Sequence, residues 1–453
     1  MVTTTIPIAR NAFVESIRQP IVLLLVLASG MLQVFNTWNT GFSMGLSDSG
    51  EVSGDNKLLL DVGLATIFVI GALLAGFVAT AVMSREIENK TVLTVVSKPV
   101  SRSWLVFGLF LGVSGAIIAA TIVMLVFLLM AIRHEVMSTA ADDVDAPVLV
   151  FSLGAVGIAL ALAAWTNFFY GWNFSQTALL LLVPLSVVAY IGVLLIDKHW
   201  KLQAPTNDLK PQIMLACMCL GLAVLVLTAV ATAASTRLGQ VATILICVGV
   251  FVASLLSNFF VGKHVFNNEI IGQIREARPE DRTTDRFDEP GRTYNIVLQQ
   301  APRERIRPGD PFYYSASPNG FPMENQAAPR FTGPTDDPVN IRRDEPGIVV
   351  TQVLGTSADE FTVRQIGRDQ AVAITRPPRQ GDYVFLTPTR INYAALAAWG
   401  VVPNLHFFWM LDAITQNRAI PPGYVGMLAL YAACHIAAFL ALAVMLFEER
   451  DVG

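Results

Sequence analysis

Arg85, Glu86, Glu88, Lys90, Lys98 and Arg102 crowd into one short stretch, SREIENKTVLTVVSKPVSRSW (84–104), between two long apolar runs. Charges of both signs around Val92, Val95 and Val96 suit non-covalent recognition, so the stretch reads as a contact site. Covalent chemistry has no comparable footing. The Gly262-Lys263 pair has Ser257 where a phosphate-binding loop needs its earlier glycine and His264 where it needs a hydroxyl, so the chain has no nucleotide site of its own. His134, His199, His264, His406 and His435 show neither H-x-x-x-H nor H-E-x-x-H spacing, which favours packed or interfacial imidazoles over a metal centre. There is no mid-span acid for a proton relay.

The elements that position this stretch are membrane spans. Of 453 residues, 53% are hydrophobic and 15% charged, and the mean hydropathy is +0.54, too apolar for an ordinary soluble protein. Charge-free runs predict spans at 20–36, between Asp61 and Arg85, between Arg102 and Arg133, and at 211–236, 238–262 and 423–447. The run 146–196 exceeds twice one crossing, and Trp165, Phe168, Phe169, Tyr170 and Trp172 cluster at its middle. It therefore divides into two spans around an aromatic turn. The expected fold is mainly α, a polytopic helical membrane protein of about eight spans, with six to eight plausible. Cys217, Cys219, Cys247 and Cys434 read as small apolar residues of those spans, without a disulfide framework.

Arg85, Lys90, Lys98 and Arg102 place the 84–104 loop in the cytoplasm. With eight spans both termini share that side. Its Lys and Arg are Arg10, Arg18, Arg85, Lys90, Lys98, Arg102, Arg237 and Arg450, against Lys57, Arg133, Lys198, Lys201 and Lys210 in the short outer loops. Residues 5–18 alternate Ile6, Ile8, Ala12, Phe13 and Ile17 with Arg10, Asn11, Glu15 and Arg18, a pattern for a helix in the membrane interface.

Three regions follow: 1–263, the N-terminal transmembrane region; 264–390, an inserted extracytoplasmic β-rich domain; and 391–453, a re-entrant segment, final span and tail. In the middle region 294–300, 347–354, 360–366, 370–375 and 382–386 read as strands, with long loops around 308–338. Its opening, 267–278, has helical spacing at Ile270, Ile271 and Ile274 and is expected to continue the seventh span. Gly400 and Pro403 interrupt 390–412, which suits a re-entrant or interfacial segment better than a crossing.

SREIENKTVLTVVSKPVSRSWLVFGLFLG resembles the cytoplasmic loop of ABC-2-type transporter permeases, with its basic-acidic start, Lys-Pro-Val-Ser-Arg turn and Gly-rich span. VVPNLHFFWMLDAI, the last span and LFEERDVG resemble the family's Pro-marked re-entrant segment and final helix. The chain departs from the family in its eight spans, where six are usual, and in its β-domain.

The resemblance implies an exporter subunit in the bacterial cytoplasmic (inner) membrane, driven by a separate ATPase subunit that binds ATP and Mg. It also implies a second permease chain, a homodimer or heterodimer within membrane lipid, and no cofactor in this chain. Residues 86–97 would be the coupling helix and 5–18 the elbow helix. The ATPase contact would involve Arg85, Glu86, Glu88, Lys90, Thr91, Val92, Val95, Val96, Lys98, Pro99 and Arg102, with Pro99 ending the helix. Three alternatives stay open: a solvated loop that only fixes orientation; a membrane-anchored enzyme or assembly scaffold working through the β-domain; and an ion-coupled carrier, disfavoured by the lack of intramembrane charge. Without a long basic run, nucleic-acid binding is not expected.

Overall fold

Helices long enough to cross a membrane make up most of what the computed structural model describes, namely residues 2–39, 54–88, 101–137, 143–281, 287, 291–316, 330–334, 347–354, 359–366, 377–387, 390–415 and 420–448. Among them, eight helices are long and apolar enough to span. Two compact units emerge, Met1–Val252 with Leu405–Gly453, and Ala253–Asn404, the division falling inside a helix.

The first unit opens with α1 (Val2–Ile17), followed by α2 (Pro20–Asn39), α3 (Gly54–Glu88), α4 (Arg102–His134), α5 (Ala146–Tyr170), α6 (Phe174–Leu195), α7 (Pro211–Ser235) and α8 (Gln240–Phe260). Of the eight candidate spans α4 is the most enclosed; α8 and the final helix are the least, with 17% of their apolar windows buried against 72% for α4. α2 and α3 are joined by side-chain amides: Gln33 Nε2 donates to the Gly63 carbonyl and Asn36 Nδ2 to that of Leu59, each at 3.1 Å. Where water is scarce such bonds contribute about 0.6–2 kcal/mol each.

The aromatic turn lies where the sequence places it. α5 ends on Gly171 in the left-handed conformation (φ 68°), its N–H donating to the Asn167 carbonyl, and Trp172 N–H reaches back to Thr166. Asn173 then caps α6 by accepting from Gln176 N–H. Phe168 stays 82% exposed, as an aromatic belt at the headgroup level requires. Cys217, Cys219 and Cys247 are buried, whereas Cys434 is exposed.

The second unit is built around an antiparallel sheet of β2 (Ile270–Pro279), β3 (Thr293–Leu298), β4 (Tyr313–Ser315), β5 (Ile348–Leu354), β6 (Glu360–Gln365) and β7 (Tyr383–Phe385), in the order β4-β7-β2-β3-β6-β5. The segment before β4 closes it: Gly309 N–H donates to Val350 O at 2.7 Å, Val350 N–H to Asp310 O at 2.9 Å, and Phe312 N–H to Ile348 O at 3.0 Å. The sheet thus becomes a small barrel, which removes the exposed edges that invite mispairing. Ile274, Ile296, Phe312, Tyr314, Phe361 and Val363 fill its interior.

Four of the five expected strands appear, and 370–375 lies outside the described residues. The expected helix at 267–278 is instead strand β2. Ile271 is the extra residue of one β-bulge and Arg275 of another, so the inward residues Ile271 and Ile274 are three apart and imitate a helical period. β1 (Phe266–Asn267) pairs with β8 (Arg390–Ile391), and Asn392 N–H donates to Val265 O, so the barrel's two connections run side by side. α9 (Tyr393–Val401) follows, with no buried residue. The backbone breaks at Pro403, a short 3₁₀ turn covers Leu405–Phe408, and α10 (Leu411–Thr415) precedes the final α11 (Pro422–Glu448). No helix in 390–415 is long enough to cross, in keeping with the non-crossing segment expected there.

Candidate functional site at the loop-bearing end of the bundle

Hydrogen bonds sort the loops of the first unit into two ends. At one, Arg18 Nε, beyond α1, donates to Gln176 Oε1 at the start of α6, 2.8 Å away. Arg102 Nη1, at the start of α4, donates to the Glu448 carbonyl at 3.1 Å, and Arg237 Nε, in the α7–α8 turn, to the Leu446 carbonyl at 2.7 Å. Two guanidinium groups therefore satisfy carbonyls in the last turn of α11, where the helix dipole is negative. This end also carries the close of α3, the aromatic turn and the α7–α8 turn, as an eight-span alternation requires.

The contact stretch itself is only partly described. Arg85, Glu86 and Glu88 complete the last turns of α3, their side chains lying outside the described residues, and so do Lys90, Thr91, Val92, Val95, Val96, Lys98 and Pro99 in full. Arg102 is exposed and bonded as above. The structure thus brings together the two helices that flank the stretch and the groups beside its exit.

Beside that exit α1 is seated on α4. A Cβ on Gly108 would lie 2.9 Å from Ile8 Cγ2, and one on Gly112 would collide with the Ala9 carbonyl oxygen and reach Ala12 Cβ at 2.5 Å. Gly115 faces the Phe13 ring. The small-residue spacing Gly108-x-x-x-Gly112 lets two backbones meet, as in helix pairs within membranes. Ala12 and Ile17 are buried there while Arg10 and Asn11 stay exposed, so α1 is amphipathic as expected, with much of its apolar face against α4.

At the opposite end Arg133 is the hub. It is the penultimate residue of α4, with a side chain 6% exposed; its Nη1 pairs with Asp145, which is fully buried, and its Nε lies 2.6 Å from Asp208 Oδ2. Asp145 also caps α5 by accepting from Val148 N–H, and Arg133 Nη2 lies 3.4 Å from the Ile196 carbonyl beyond α6. One cation thereby ties together α4, α5, α6 and the loop before α7. Sequence reasoning counted it among the outer-loop cations. His134 next to it is buried edge-on to Trp38, with ring centroids 6.1 Å apart. Among the described residues no three His, Cys, Asp or Glu side chains form a metal-binding group.

Eight candidate crossings and an N-terminal helix seated tightly on α4 define a multi-pass membrane protein. Residues 6–168, from α1 through most of α5, match the family described as ABC-2 family transporter protein, which supports an ABC-2-type permease. No curated protein and no solved structure matches the chain.

Proposed function

We propose that the chain is the permease subunit of an exporter powered by a separate ATPase, which docks on residues 84–104 from the cytoplasm. The observation that carries this reading is the family match over 6–168, which includes the charged stretch and both helices leading to it. Closure of the ATPase on ATP would press on 86–97 and move α3 and α4 together. α4 carries α1 on Gly108 and Gly112, and Arg102 joins it to the end of α11. In this reading both termini are cytoplasmic, residues 264–390 are extracytoplasmic, the membrane is the bacterial inner membrane, and a second permease chain completes the pathway. The barrel would receive, gate or hand on cargo.

The test is affinity isolation of the full-length chain with its nucleotide-binding partner, followed by ATPase assay. Val92→Asp and Glu88→Arg are expected to lower co-isolation and permease-stimulated ATPase activity by tenfold or more, since a charge in an apolar ridge or reversed on its rim is worth at least about 1.4 kcal/mol. If the wild-type chain isolates with no nucleotide-binding protein, the reading fails.

A further inference from the structure

A cavity of about 350 Å³ lies between α7, α8 and α11, walled by Ala233 and Ala234, by Ile246 and by Phe439 and Leu442, with Arg237 at one end. The two alanines make the recess, because any larger side chain there would fill it. Ile246 is 36% and Leu442 42% exposed, so the cavity opens sideways from the bundle. All three helices are candidate spans, so a cavity on their outer side would face lipid.

The guanidinium at its end is held in place: Arg237 Nε donates to the Leu446 carbonyl at 2.7 Å, while the side chain as a whole is exposed. Arg237 is the sole charged residue among the lining positions. A ligand for this site needs an apolar body along the helices and negative charge at one end. Basic pockets at the ends of membrane helices bind anionic headgroups for this reason, and the volume lies in the range of small-ligand sites.

We propose that this groove binds an anionic phospholipid, one acyl chain lying against Ala233, Ala234, Ile246, Phe439 and Leu442 and the phosphate meeting Arg237. The site rests on the membrane character of the spans and not on the docking of an ATPase. Bound lipid would fill the space beside the least enclosed spans, α8 and α11, close to the carbonyls that Arg237 and Arg102 hold.

Native mass spectrometry on the full-length chain, titrated with phosphatidylglycerol or with phosphatidylcholine of the same acyl chains, tests this. Phosphatidylglycerol should bind roughly fivefold more tightly to the wild type, the worth of one cation near an anionic headgroup. Arg237→Gln should erase the preference and Arg237→Lys keep most of it. Ala234→Leu, a good helix former that fills the recess, should weaken binding of both lipids while the protein stays monodisperse. Equal affinity for the two lipids in the wild type overturns the proposal, as does undiminished binding to Ala234→Leu. Competition by inorganic phosphate alone would show an anion site without a lipid chain. Disulfide cross-linking between copies of Leu442→Cys in membranes would show a second chain covering the groove.

Discussion

The two ends of the helical bundle are both held by arginine, and in opposite ways. At the end away from the contact stretch Arg133 is sealed from solvent between Asp145 and Asp208. At the end that carries the stretch, Arg102 and Arg237 are exposed and bond to the backbone of α11. A buried ion group gives strong geometric definition but severe loss when one member goes. Exposed cations at a helix terminus contribute less and are screened by salt. The contrast describes a bundle locked at one end and adjustable where the contact stretch enters.

The largest expected effect is at the lock. Arg133→Met leaves Asp145 buried without its cation and should cost about 3–5 kcal/mol, seen as a lower unfolding temperature and poor recovery in detergent. Arg133→Met combined with Asp145→Asn, which retains the cap on Val148, should recover much of that loss, because Asp208 is 27% exposed and can remain hydrated. A single variant as stable as the wild type would end the idea of a lock.

An intermediate effect is expected where α1 sits on α4, and its sign is informative. Gly→Ala inside a helix normally stabilises by about 0.5–1 kcal/mol, and Gly154→Ala in α5, with open space around its Cβ, should do so. Gly112→Ala should instead destabilise by about 1–3 kcal/mol, because its Cβ meets the α1 backbone. Proteolysis of the N-terminal helix should accelerate in Gly112→Ala alone. Equal shifts in thermal melting for the two variants would mean that α1 is not seated there. The smallest effect belongs to Arg102→Gln, at most about 1 kcal/mol and shrinking with added salt, whereas the Arg133→Met penalty should change little with salt.

The spans were legible because each is a long run without charge, and the turn at Gly171 because aromatic rings cluster inside a run too long for one crossing. Strands β3, β5, β6 and β7 were legible from β-rich runs between turn residues. β2 was not, since its bulges break the two-residue period on which strand recognition depends. The α1 seat had a signal in Gly108-x-x-x-Gly112, although its partner helix could not be read from the same spacing. Arg133 had none: a cation at the end of an apolar run looks the same whether solvent or two distant aspartates receive it. The grip on α11 was equally hidden, because its acceptors are backbone carbonyls, which every residue supplies.

The paired strands β1 and β8 make the barrel detachable. Phe266 and Ile391 are direct Cα partners, so their backbones are about 5 Å apart. One or two glycines could therefore replace everything between them. The domain could thus be excised by one deletion whose ends lie side by side, and its contribution measured by subtraction.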